Sequence, residues 1–359
     1  MKVYGFGIAG AGLISRFHAQ AIKSLPNARL VAVASRTEKR ARPVAEEFAS
    51  DCEPSYEKLV SRPDIDVLTV CTPSGAHAEV AILAASAGKH VMVEKPLETT
   101  LERADLIRDA CRKAGVKLAV VFQSRFSHAS SLLRKAIEEG RLGRITLADA
   151  YVKWWRSQEY YDTGVWKGTR SLDGGGSLMN QSIHAIDLLQ WFAGPVKAVS
   201  AFSGLLAHDR IEVEDTAVAA LEFESGALGV VEGTTAAYPG FLKRIEISGE
   251  KGTVIMEEED ILTWKFREER PEDDRVRKEF ASRKSSGGGA AEPGAISVEG
   301  HIKQFADFIE AIEEDRPPLV DGVEGRKAVE IVLAIYQSAK TGKRVTLPLR
   351  TKKRGSKIL

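Results

Sequence analysis

Cysteine is scarce in this chain of 359 residues: Cys52, Cys71 and Cys111 are all there are, far apart and without a C-x-x-C pair. That excludes a disulfide framework and a paired zinc-ligand spacing, so no metal site is expected and a reducing cytoplasm suits the composition best. Net charge is nearly absent too. Lys+Arg 51 against Asp+Glu 50 leaves +1, so no overall field gathers a polyanion, and nucleic acid is not an expected partner. No apolar run approaches the ~20 residues that a membrane helix requires. The opening Met1-Lys2-Val3-Tyr4-Gly5-Phe6-Gly7 enters a strand pattern directly, so neither a leader nor a membrane span is expected.

What is present is a globular composition, 43% hydrophobic and 28% charged, long enough at roughly 100 to 200 residues per domain for two domains. Over 3–121, short β-branched runs alternate with segments of helical period, the pattern of β-α-β units around a parallel sheet. Strands are expected at 3–8, 29–34, 67–71, 90–93 and 118–122, with helices at 76–87 and 101–114 each ended by a glycine, Gly88 and Gly115. Thr37 can cap the next helix, which Pro43 should shorten or kink. Beyond about residue 126 a helix at 130–139 gives way to long alternating runs with tight turns, including a hairpin around Ser225-Gly226 and strands at 244–248, 253–257 and 261–266. Such a sheet needs its apolar face covered by its own helices or by another subunit, so an oligomer is expected. Residues 267–297 read as a charged, then Gly-rich loop or lid edge, and 301–314 and 325–339 as amphipathic helices. The fold class is therefore α/β, with a doubly wound domain over 1–124, a second domain rich in antiparallel strands over 125–350, and a basic tail over 351–359.

Gly10-Ala11-Gly12-Leu13-Ile14-Ser15 follows a strand and opens a helix, the context that a G-x-G-x-x-[G/A] fingerprint must have. The first glycine permits the turn, the second lets the backbone approach a pyrophosphate, and the small Ser15 allows close helix packing. The helix then aims free N–H groups at the phosphates. About 20 residues on, where a carboxylate would bind the ribose 2′-OH of NAD, the chain reads Ala34-Ser35-Arg36-Thr37, with no acid. Ser35, Arg36 and Arg40 suit a 2′-phosphate instead. NADP(H) is favoured and NAD(H) remains acceptable. Val93-Glu94-Lys95-Pro96 ends a strand at the sheet edge where open α/β folds bind ligands. Partial desolvation there can lower the pKa of Lys95, and Glu94 can hold it in place.

These features, together with Cys71-Thr72-Pro73 and His77, Gly88-Lys89-His90-Val91 leading into Glu94-Lys95-Pro96, and Gly174-Gly175-Gly176 followed by Asn180, His184 and Asp187, resemble one family. The chain is similar, from Val3 to about Pro348, to the glucose-fructose oxidoreductase / inositol dehydrogenase / rhizopine catabolism (Gfo/Idh/MocA) family. The resemblance implies hydride transfer between a nicotinamide and a secondary alcohol or carbonyl of a sugar, inositol or derivative. It also implies a Rossmann dinucleotide-binding domain over 1–124, a C-terminal substrate-binding α+β domain with a large open, mostly antiparallel sheet over 125–350, and homodimers or homotetramers built through that sheet. Cofactor contacts are then expected from Gly10, Ala11, Gly12, Leu13, Ile14, Ser35, Arg36, Arg40, Cys71, Thr72, Pro73, His77, Glu94, Lys95 and Gln123.

Carried over residue by residue, the lysine of the E-K-P motif is Lys95 and the histidine of the G-G-G…D-x-x-x-H segment is His184. The acid of that segment is replaced by Asn180, whose amide can orient a hydroxyl but exchanges no proton at ordinary pH. General-base work therefore falls on His184, unperturbed pKa ~6.5, with Lys95 stabilising the alkoxide; the reverse assignment stays open. Asp187, at i+3 from His184, can orient the imidazole. Lys95, Arg125, Trp166, Asn180 and His184 are the expected substrate contacts, with an interdomain ion pair the alternative for Arg125, while Trp154 and Trp155 suit a core or interface better. Two other readings share these motifs: an NAD-dependent redox-elimination glycoside hydrolase, and a non-catalytic cofactor-binding regulator.

Overall fold

The computed structural model describes residues 2–281, 290 and 297–350. Six strands, β1 (Tyr4–Ala9), β2 (Ala28–Ala34), β3 (Asp51–Glu53), β4 (Val67–Val70), β5 (His90–Val93) and β6 (Leu118–Val120), form a parallel sheet in the order β3-β2-β1-β4-β5-β6. β1 and β4 are buried along their whole length, as strands covered by helices on both faces must be. The order reverses between β1 and β4, which opens a crevice at their carboxyl ends. β3 and the helix Tyr56–Ser61 are too short to show a period, so the sequence does not announce them. Pro43 does not shorten its helix. Glu38–Glu47 runs through it, because Ala41, Val44 and Ala45 bury one face and outweigh the bond that Pro43 cannot donate.

The second sheet has eight strands: β7 (Ile145–Lys153), β8 (Val196–Gly204), β9 (Thr216–Phe223), β10 (Leu228–Thr234), β11 (Arg244–Gly249), β12 (Gly252–Glu257), β13 (Asp260–Phe266) and β14 (Val345–Thr346). Their order is β13-β12-β11-β7-β10-β9-β8-β14, antiparallel except between β7 and β10. The helices Ile183–Ala193 and Gly322–Thr341 pack on one face. The other face leaves Phe202, Val218 and Leu228 exposed.

Chain order and spatial order part company near the end. The helix Glu299–Glu313 returns to the first sheet and buries Phe305, Phe308 and Ile309 in the cluster that holds Phe6, Ile8 and Met92. Within the expected loop 267–297, Pro271–Ala281 is a helix, and most of the Gly-rich remainder lies outside the described residues, as does the tail 351–359. Among the described residues no helix is long and apolar enough to cross a membrane.

Candidate active site

The glycine turn carries the conformation its sequence demands. Gly10 has φ +115°, and a Cβ there would lie 2.3 Å from the Cys71 carbonyl oxygen, so only glycine lets this turn press against the end of β4. At Gly12 a Cβ would meet nothing within 4 Å, leaving open space at the first turn of Leu13–Lys23, which holds no acidic side chain to repel a phosphate. A cavity of about 480 Å³ begins here, within the size of a small-molecule site. Ser35, Arg36 and Arg40 line it at the β2 edge, joined by Tyr56, which the sequence did not single out. Cys71, Thr72 and Pro73 line its middle, and Glu94, Lys95 and Gln123 the β5 and β6 edge. A nicotinamide dinucleotide fits this donor set: main-chain N–H groups and cations where its phosphates would lie, open space where its backbone approach is needed.

Lys95 stands just beyond β5, and its ammonium donates to the main-chain carbonyl of Asn180 at 2.7 Å. Burial pushes its pKa down, and Glu94 and Asp173 oppose that. Glu94 does not hold the ammonium, contrary to the sequence expectation. Its carboxylate accepts from the Lys95 main-chain N–H at 3.0 Å and pairs with His18 Nε2 at 2.8 Å. His18 also meets Thr69 Oγ1 at 2.7 Å and Cys71 Sγ at 3.3 Å. Burial would discharge this imidazole, yet Cys71 and Glu94 raise it to about 10. The partner of Glu94 thus comes from the helix Leu13–Lys23, at a residue the sequence alone did not single out.

His184 lies on the cavity wall beside Asn180 and Gln181. A wide π-type turn, Ser177–Ser182, leads into its helix. Such turns recur where a helix must re-aim side chains. The turn is pinned from behind: a Cβ at Gly176 would fall 1.8 Å from the Glu214 carbonyl oxygen. The imidazole stands edge-on to Phe122, centroids 5.6 Å apart, and its Nδ1 is buried without a hydrogen-bond partner among the described residues. Burial, then Lys95, holds its pKa well below the usual histidine value, so the ring is neutral and a weaker base than the ordinary value of ~6.5 led the sequence reading to expect.

Three expected contacts are corrected. Arg125, only 1% exposed, does not line the cavity; it forks onto Asp187 at 2.6 and 2.7 Å and reaches Glu324 at 3.0 Å. Asp187 consequently serves that guanidinium and not the His184 ring. His77 is turned to the main chain as well, its ring nitrogens 2.9 and 3.0 Å from the Pro96 and Thr72 carbonyl oxygens, and burial lowers its pKa, so its single N–H bonds one of the two. It stands between the Glu94-Lys95-Pro96 turn and Thr72, outside the residues that line the cavity.

At the far end, Trp166 lines the cavity as expected, and so does Trp154. Trp155 faces Tyr238 instead. Arg156 and Lys167 add a cationic wall around Tyr160, and the sequence reading missed both cations: Lys167 Nζ sits 3.8 Å over the Tyr160 ring and Arg156 5.5 Å from it. Their interleaving with aromatics was the available signal. Asp173 was overlooked as well. It is 1% exposed, its Oδ2 accepts the Gly168 N–H at 2.8 Å and its Oδ1 the Asn180 amide. Burial lifts it to about 7.

Comparison with known proteins agrees with this architecture. Residues 4–122 match the oxidoreductase family with an NAD-binding Rossmann fold, and residues 131–255 match the GFO/IDH/MocA C-terminal domain. The crystal structure of the WlbA dehydrogenase from Bordetella pertussis, in complex with NADH and UDP-GlcNAcA, is 37% identical, covering 97% of this chain and 99% of that one, with a TM-score of 0.88. Myo-inositol 2-dehydrogenase of Thermotoga maritima is 28% identical over 354 residues, 95% of this chain and 98% of its own length. Levoglucosan dehydrogenase of Pseudarthrobacter phenanthrenivorans is 28% identical over 289 residues, 71% and 74% of the two chains. From its glycine turn to its second sheet, the chain belongs to the Gfo/Idh/MocA family of NAD-binding oxidoreductases.

Proposed function

We propose that this enzyme moves a hydride between a nicotinamide and a ring carbon of an acidic sugar, with Lys95, Asn180 and His184 at the reacting oxygen. The observation that carries the reading is the meeting of Lys95, from the Rossmann sheet, with Asn180 and His184, from the C-terminal half, on one cavity that begins at the glycine turn. A nicotinamide held there supplies the hydride acceptor or donor. The protein handles the oxygen. In the oxidative direction the neutral His184 imidazole accepts the hydroxyl proton while the Lys95 ammonium lowers the energy of the developing alkoxide.

The acidic substrate class is favoured by Arg156 and Lys167 on the substrate wall and by the UDP-GlcNAcA bound to the WlbA relative. Both cations can meet a carboxylate or a phosphate. Arg36 and Arg40, with no acid at 34–37, support acceptance of NADP(H) through its 2′-phosphate alongside the NAD(H) found in the relatives. We place the domain division near residue 124 and the enzyme in the cytoplasm, which suits three free cysteines. Self-association through the outer face of the second sheet would cover Phe202, Val218 and Leu228. The deciding experiment is a panel of UDP-linked uronic acids, free uronic acids, neutral sugars and inositols, followed by nicotinamide absorbance with both cofactors. Turnover of acidic sugars above neutral ones is expected; preference for neutral inositols would overturn the acidic assignment.

A further inference from the structure

The acid absent from position 180 has a counterpart seven residues earlier, on the turn before the glycine run. We propose that Asp173 is a positioning residue that supplies this carboxylate from behind the site, fixing the Asn180 amide and keeping the Lys95 side chain protonated. The proposal rests on the reading that Lys95 meets the reacting oxygen.

The hydrogen bonds leave Asn180 one orientation. Asp173 Oδ2 is taken by the Gly168 N–H, so its Oδ1 faces Asn180 Nδ2, while Asn180 Oδ1 accepts from Gln181 Nε2 at 3.1 Å. A reversed amide would set oxygen against carboxylate and two donors against each other, losing both bonds. With the side chain so fixed, the Asn180 main-chain carbonyl receives the Lys95 ammonium at 2.7 Å.

Charge tells the same way. The ionisable groups facing Lys95 are Glu94, Asp173, Arg156 and His184. Glu94 is already paired with His18, Arg156 pushes protons away, and His184 is neutral. Among the described residues Glu94 and then Asp173 are the carboxylates that oppose the cost of burying the ammonium, and of the two Asp173 is the one that also holds the Asn180 amide. It has company of its own sign in Glu214, while Asn180 and Lys95 favour its charged form.

A residue swap tests this. Asp173→Asn keeps an acceptor for Gly168 but removes the charge, and adding Asn180→Asp returns a carboxylate to the neighbouring position with the hydrogen bond reversed. With an accepted sugar, Asp173→Asn is expected to lower kcat about tenfold and to move the alkaline limb of its pH profile down by about one unit, since losing a nearby anion lowers the Lys95 pKa. The double variant is expected to regain most of both. The same titration is read without substrate from the pH dependence of Lys95 acetylation by acetic anhydride, followed by peptide mass spectrometry. Lys95 should react at lower pH in Asp173→Asn than in the wild type or the double variant. An unchanged Lys95 titration in Asp173→Asn would overturn the proposal, whatever the activity. If the wild type turns over none of the sugars, the functional reading falls, and the acetylation result still decides the role of Asp173.

Discussion

Lys95 and Asn180 join the two halves of the enzyme, the ammonium of one donating to the main-chain carbonyl of the other at 2.7 Å. That bond uses one of three ammonium hydrogens and leaves the others for the cavity. It also gives the half-buried lysine at this strand end an acceptor where, among the described residues, no carboxylate bonds its Nζ. Lys95→Met should therefore lower kcat by about 10² to 10⁴ while leaving NADH binding, read by fluorescence titration, within a few-fold. Near-normal turnover in this variant would remove Lys95 from the chemistry. His184→Asn should behave alike. Because burial and Lys95 hold the imidazole neutral, the wild-type kcat/KM profile should show no histidine limb between pH 6.5 and 8.

At the other end of the cavity, Arg36 and Arg40 line the wall beside the β2 edge, where we propose that the adenosine ribose lies. A charge-assisted bond to phosphate is worth about 1.5–3 kcal/mol, or roughly tenfold to a hundredfold in affinity. Arg36→Ala should raise KM for NADPH by about that factor and KM for NADH much less. Equal losses with the two cofactors would show that Arg36 touches no 2′-phosphate.

The His18–Glu94 pair makes a prediction about stability. Its imidazole is raised from 6.5 to about 10 in the folded protein, so folding favours the protonated ring. The stabilisation is complete below about pH 6.5 and is lost as pH rises toward 10. His18→Gln, which can still bond Thr69 or Glu94, should lower the melting temperature most at pH 6, and the gap to the wild type should narrow by pH 9.5. A gap that is constant with pH would mean that the ring is buried neutral.

Much of this site was legible in the sequence because its motifs are local. A glycine turn between strand and helix, a lysine at a strand end and a histidine after a glycine run each carry their own context. What escaped depends on distant chain. Arg125 follows the last Rossmann strand, where a substrate contact is reasonable, and only the packing of Ile183–Ala193 against it shows Asp187 within reach. Asp173 precedes the glycine run by one residue, and its proximity to Asn180 exists only because the π-type turn bends the chain back. The helix Glu299–Glu313 reads correctly as amphipathic, yet nothing in its period says that its apolar face covers the first sheet and not the second.

The corrected role of Arg125 gives the sharpest contrast between support and chemistry. Its guanidinium and the Asp187 carboxylate are each 1% exposed, and their bidentate contact compensates two buried charges that neither could carry alone. Glu324, a quarter exposed, is a weaker third member. Removing one partner strands the other, so Arg125→Met should cost about 3–5 kcal/mol in denaturant unfolding. Arg125→Met/Asp187→Leu should cost less than the single change, since no charge is left unpaired on the helix. In both variants the folded fraction should keep its KM for sugar, because the pair faces away from the cavity. A variant with wild-type unfolding but a sharply raised sugar KM would restore Arg125 to the substrate wall.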